Sequence, residues 1–197
     1  QGVGTTSWIH DLAKAEVHPE AEAVLNLSRS SDPAQLIEES TVEFLTTLRE
    51  HLSEHVRVFN AYSEAGARFS EIKIYGVAQS AADFMLFRNQ VKLVFTSQAQ
   101  GAIQIQFVTH IGTGALSGGS SGAAPRLPDA QELVARMGPF REVHWTYAGE
   151  RVSPDQIARY YFVEYVRATR QARASRASNQ ALLDQIKALL NEKGLDL

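Results

Sequence analysis

Phe69-Ser-Glu-Ile-Lys-Ile-Tyr-Gly-Val77 opens the stretch that decides the fold, and three more apolar runs carry it on to Ile111. Successive side chains of a strand point to opposite faces of its sheet. In the first run Ile72 and Ile74 share one face, while Glu71, Lys73 and Tyr75 share the other. In Val91-Lys-Leu-Val-Phe95 the inward set is Val91, Leu93 and Phe95, with Lys92 and Val94 outward. In Ala102-Ile-Gln-Ile-Gln-Phe-Val-Thr-His110 it is Ile103, Ile105 and Phe107, leaving Gln104, Gln106, Val108 and His110 outward. Phe84-Met-Leu-Phe87 is apolar on both faces, so it is expected to be covered on both sides or capped by another segment. Arg88-Asn89-Gln90 reads as a tight connection, because Asn tolerates turn conformations, and Gln98-Ala-Gln-Gly101 as the next turn. One apolar and one polar face predict an antiparallel meander with helices on a single side.

Before the meander lies the strongest helical pattern. Ile37, Thr41, Phe44, Leu45, Leu48, Leu52, Val56 and Phe59 recur at helical spacing behind an Asp32 N-cap and a first-turn Pro33. A helix from Ala34 to about Glu64 would be roughly 45 Å long and long enough to cross the sheet, with Gly66 as its stop. Further upstream, Thr6 or Ser7 is expected to cap a turn reaching Leu12, and Pro19 to open a helix through Leu27. Trp8 and Ile9 read as a tether onto the main body.

After the meander, residues 112–125 are rich in Gly and Ser and read as a flexible loop. They lack the Gly-Lys-Ser/Thr ending of a phosphate-cradling loop. Asp129 to Met137 is predicted to be a short helix ended by Gly138-Pro139. Phe140 to Tyr147 is predicted to be the last strand, with Val143, Trp145 and Tyr147 opposed to Glu142, His144 and Thr146. Ser153 and Pro154 then open a helix with Ile157, Tyr161, Phe162, Tyr165 and Ala168 on a core-facing arc. Tyr160 and Val163 fall on its opposite side, among Arg159, Glu164 and Arg167. Ala168 to Ser178 is polar and helix-favouring, and Asn179 to Lys193 adds an amphipathic segment bearing Leu182, Leu183, Ile186, Leu189 and Leu190.

Composition sets outer limits. The chain has 197 residues, 44% of them hydrophobic and 21% charged, enough for a real core. A net charge of −3 and a pI near 6.1 argue against a dedicated nucleic-acid binder. With no cysteine, disulfides, thiolate metal sites and cysteine nucleophiles are excluded. No run approaches the roughly 18 apolar residues of a membrane span. Residue 1 is Gln, which reads as a piece of a longer or processed protein.

Three constellations carry chemical readings. His51-Leu-Ser-Glu-His55 resembles the H-x-x-E-H motif of the inverted zinc peptidases. The resemblance covers five residues and one spaced acid. It implies zinc on His51 and His55, Glu54 as general base and Glu132 as third ligand; the plainer reading makes His55 a packed histidine beside the apolar stripe. Glu71, Lys73 and Asp83 contain the residue types of a carboxylate–lysine nuclease in the wrong order, so cross-strand pairing accounts for them better. Arg167, Arg170, Arg173 and Arg176 drift by about 60° per step round a helix, as an ordinary solvated surface does.

The fold class read from this pattern is α+β, an antiparallel sheet of about five strands with long N- and C-terminal helices packed on one face. Residues 1–32 form an N-terminal helical arm, 33–178 a single domain and 179–197 a C-terminal amphipathic helix. The element order resembles that of small secretion-chaperone-type α+β domains, in topology alone. The expected function is a non-catalytic protein-interaction or regulatory module of a larger cytoplasmic system, bacterial in kind, needing no cofactor. A protein partner or a second copy would dock through Tyr160, Val163, Arg167, Leu182, Ile186, Leu189 and Leu190. The outward sheet face, with Lys73, Tyr75, Lys92, Gln104, Gln106, His110 and His144, is a second candidate platform. The alternative is a zinc-dependent hydrolase using His51, His55 and Glu132.

Overall fold

In the computed structural model the residues described are 7–18, 20, 32–66, 69–78, 80–98, 101–109 and 129–192. A helix α1 (Ser7–Val17) precedes the long α2 (Pro33–Glu64). Seven strands follow: β1 (Lys73–Gly76), β2 (Phe84–Arg88), β3 (Val91–Gln98), β4 (Ala102–Thr109), β5 (Gln131–Met137), β6 (Val143–Tyr147) and β7 (Glu150–Arg151). The chain then enters α3 (Pro154–Glu192). The strands form one antiparallel sheet in sequence order, so each pairs with the one before it. The Pro19–Leu27 helix, the loop at 112–125 and His110 lie outside the described residues.

The sheet therefore has seven strands rather than about five. One of the additional strands is β5, where a helix was expected. Gln131, Glu132, Leu133, Ala135, Arg136 and Met137 all favour helix intrinsically, which is why the local pattern misleads. Pairing with β4 overrides that preference: Ile103 stands opposite Leu133 and Gln104 opposite Glu132. Leu133 is buried with the core, while Glu132 and Arg136 point to the outer face. The other is β7, two residues long, returned against β6 by Ala148 and Gly149 at φ 49° and 89°. Phe140, expected inside the last strand, sits in the preceding turn and is exposed.

Along β2, β3 and β4 the alternation holds, whereas in β6 the neighbours Trp145 and Thr146 are both buried and Tyr147 is exposed. Ile72, Phe84, Leu86, Val91, Leu93, Phe95, Ile103 and Ile105 are buried on one face. α2 and α3 cover that face with Leu45, Leu48, Leu52, Ile157, Tyr161 and Tyr165. Each fully buried Leu, Ile or Phe side chain contributes roughly 1.5–3 kcal/mol, so this single layer dominates stability. Side-chain hydrogen bonds fix how the layers sit. Asn60 on α2 donates to the Ile72 carbonyl at 2.8 Å and accepts from the Ile72 N–H at 3.0 Å, tying the helix to the approach to β1. The Trp145 indole donates to Ser40 Oγ at 3.2 Å, and its ring lies 5.2 Å from that of Phe44. The Tyr165 hydroxyl donates to the Val91 carbonyl at 2.9 Å.

Helix ends follow their sequence signals. Asp32 caps α2 by accepting from the Ala34 N–H at 3.0 Å. At the start of α3, Ser153 Oγ accepts from the Gln156 N–H while Gln156 Oε1 accepts from the Ser153 N–H, a reciprocal capping box. Gly66 at φ 99° stands just beyond α2, as expected of a stop. Gly101 is required twice over. Its φ is 77°, and a Cβ there would meet the Ile37 side chain at 2.6 Å.

Candidate functional site

α3 has two halves. As far as Ala172 its inner side packs on the sheet and α2, and Thr169 is the last fully buried residue. Thr169 marks the edge of the body. Its hydroxyl accepts from Arg88 at 3.3 Å and its carbonyl from Asn89 at 3.1 Å, both at the β2–β3 turn. Every described side chain of α3 beyond Ala172 is exposed. Leu182 is 56% exposed, Leu183 51%, Ile186 44% and Leu189 57%. Arg167, on the solvent side of the packed half, pairs with Glu164 at 2.9 Å on the surface. Leu190 continues the stripe in sequence, but its side chain lies outside the described set.

Tyr160 and Val163 also stand exposed, on the side of α3 that turns from the sheet. Val163 is not isolated. Val58 and Tyr62 of α2 are exposed beside it, and with His55, Phe59 and Phe162 these three line a shallow apolar groove of about 400 Å³. Val58 and Tyr62 were not singled out from sequence, and Leu183 was named in the amphipathic segment without being placed among the docking residues. The signal available for Val58 and Tyr62 was their place on the flank of the buried stripe of α2.

The two motif histidines do lie on one side of α2, close enough for each to feel the other's charge. His55 is partly buried, with its ring edge-to-face against Phe162 at 5.3 Å and, among the described residues, no partner for Nδ1. Burial, and after it the charge of His51, lowers its pKa below the usual imidazole value. Glu54 turns to solvent and holds Arg57 at 2.6 Å, and that hydrogen bond lowers its pKa. Glu132 is on β5, on the outer sheet face opposite Gln104, whereas the helices cover the inner face. The sheet thus stands between Glu132 and the histidines, and among the described residues no three His, Asp or Glu side chains gather as a metal site.

The registers place Lys73, Tyr75, Lys92, Gln104, Gln106 and His144 on the same outer face, spread from β1 to β6. His144 meets Arg151 at 3.4 Å. Between the polar residues lies an apolar strip. Met85 stands opposite Val94, and Phe87 opposite Lys92, which in turn faces Val108; all four hydrophobic residues are half-buried. Cross-strand neighbours thus shield the outward side of β2.

Arg88 is a site residue the sequence did not mark. It points inward from β2 and is 6% exposed, with its guanidinium 5.1 Å from the Phe59 ring centre and 5.5 Å from that of Phe69. Among the described residues its Nε has no hydrogen-bond partner. Burial lowers its pKa, and Arg173 and Arg170 add like charge nearby. The two rings supply the cation–π contact that holds it.

Known protein families, curated proteins and solved structures contain no match to this chain. Any functional reading rests on these surfaces alone. No helix among the described residues is long and apolar enough to cross a membrane.

Proposed function

We propose that the chain is a non-catalytic docking module of a larger cytoplasmic assembly, and that its docking surface is the outer half of α3. The observation that carries this reading is the exposed row Leu182, Leu183, Ile186 and Leu189 on a helix that continues past the body. Rows of large aliphatic side chains left in water are costly unless something covers them, and they mark interaction sites. The exposed groove between α2 and α3, with Val163, Val58 and Tyr62, extends the same apolar character onto the body.

Truncation after Ser178 tests the reading. A docking element contributes nothing to the core, so the shortened chain is expected to keep the near-ultraviolet signal of Trp145 and its melting temperature. It should lose far-ultraviolet helix signal alone. A shortened chain that unfolds would place the end of α3 in the protein's own core and sink the proposal.

A further inference from the structure

The row that packs α3 onto the body does not stop where the body stops. Tyr161, Tyr165, Ala168 and Ala172 are buried or half-buried at alternating steps of four and three. The same alternation continues through Ser175, Asn179, Leu182, Ile186 and Leu189. A regular 3.5-residue repeat is the spacing of a seam between two helices. The body fills the first part of this seam; beyond Ala172 the described side chains stand in water.

We infer that a second copy of this chain covers the exposed part of the seam, with its α3 running antiparallel. This rests on the docking reading above and names the occupant. Two features of α3 select that partner and that direction. The first is size. Along its uncovered part the seam is smaller near the body, at Ser175 and Asn179, and bulky at the far end, at Leu182, Ile186 and Leu189. Antiparallel pairing seats Ile186 of the second copy on Ser175 and Leu182 of the second copy beside Asn179, so bulky meets small. A parallel pair would stack bulky on bulky and leave a gap along the small stretch, which close packing disfavours.

The second feature is charge. Residues 167–176 carry Arg167, Arg170, Arg173 and Arg176 and no acid, while residues 177–192 carry Asp184 and Glu192 against Lys187. Parallel pairing would lay one arginine run beside the other within a Debye length of about 8 Å. The antiparallel pair lays each arginine run along the partner's slightly acidic end. It also keeps the two bodies at opposite ends, where the sheet and α2 already cover the first half of α3. One helix pair of this length makes a small interface, so the dimer is expected to be weak and concentration-dependent.

Sedimentation equilibrium of the full chain is expected to show a monomer–dimer equilibrium, and Ile186→Asp to weaken it by about tenfold or more at unchanged melting temperature. Orientation is read by cross-linking, which is clean because the chain has no cysteine. Mixed Ser175→Cys and Ile186→Cys chains should give a cross-linked heterodimer. Neither alone should cross-link, since like positions lie about 17 Å apart in the antiparallel pair. Cross-linking of Ser175→Cys with itself would overturn the antiparallel arrangement. A full chain that stays monomeric at every concentration would overturn the second copy; if the Ser178 truncation then remains folded, the docking reading survives with another partner. A truncation that unfolds removes both.

Discussion

His55 shows how one position carries two incompatible readings. The five-residue motif around it suits a metal ligand, yet its ring packs against Phe162 and its buried Nδ1 has no partner among the described residues. Burial favours the neutral form of such a histidine. Its folded pKa lies below the unfolded value near 6.5, so the unfolded chain takes up the proton first as pH falls. The resulting penalty is absent above that pH and grows as pH drops through 6.5 toward the folded pKa. His51, Asp155, Arg159 and Glu54 modulate the position of that window. Urea unfolding at pH 7.5 and 5.5 should find the wild type less stable at the lower pH, and His55→Gln should shrink the difference. An unchanged difference would assign the acid sensitivity to other groups. A second residue-scale test lies at the β2–β3 turn. Asn89 and Gln90 have φ of 50° and 67°, the geometry of a type I′ turn. Gln90 bears the strain of a left-handed conformation, worth roughly 1–2 kcal/mol for a residue with a Cβ. Gln90→Gly relieves that strain while adding chain entropy to the unfolded state, and is expected to raise stability by about 1 kcal/mol or less in thermal melts.

At the scale of elements, legibility followed how far each segment decides its own structure. α2 declared itself through an Asp-Pro start, one apolar stripe and a glycine stop, and it spans Pro33–Glu64 against an expected Ala34 to about Glu64. β3 and β4 were equally plain because their alternation is strict. β5 was not, since its helix-favouring residues become a strand only through β4, whose far edge would otherwise be open. Nor did any local pattern announce the Asn60 clamp. An asparagine on a helix reads as surface; here its amide imitates a neighbouring strand by pairing with both backbone groups of Ile72. Asn60→Ala removes both bonds and strands two backbone groups in a half-buried place. A loss of about 2–3 kcal/mol is expected by urea denaturation, since each orphaned group costs roughly 1–3 kcal/mol. A loss below about 0.5 kcal/mol would mean that water replaces the clamp at no cost.

For the molecule as a whole, the central question is whether the sheet is covered on one face or two. Both long helices lie on the inner face, and the buried core consists of residues from α2, α3 and the inward rows of the sheet. The outward row was legible as polar, yet Met85, Phe87, Val94 and Val108 make part of it apolar and half-buried. Neighbouring residues of β3 separate the two cases cleanly. Leu93 is fully buried on the inner face, and Val94, next in the chain, is half-buried on the outer one. Leu93→Ala opens a cavity in a packed layer and is expected to cost about 2–5 kcal/mol. Val94→Ala removes less apolar area from a face shielded by its cross-strand neighbours, so a loss near 1 kcal/mol or less is expected. Both are to be read as shifts of the urea midpoint at constant m-value, which keeps the comparison one of stability rather than of denatured-state compactness. Comparable losses at the two positions would show that a second layer covers the outer face as tightly as the helices cover the inner one. The polar platform of Lys73, Gln104 and Gln106 would then be an interior boundary rather than a surface.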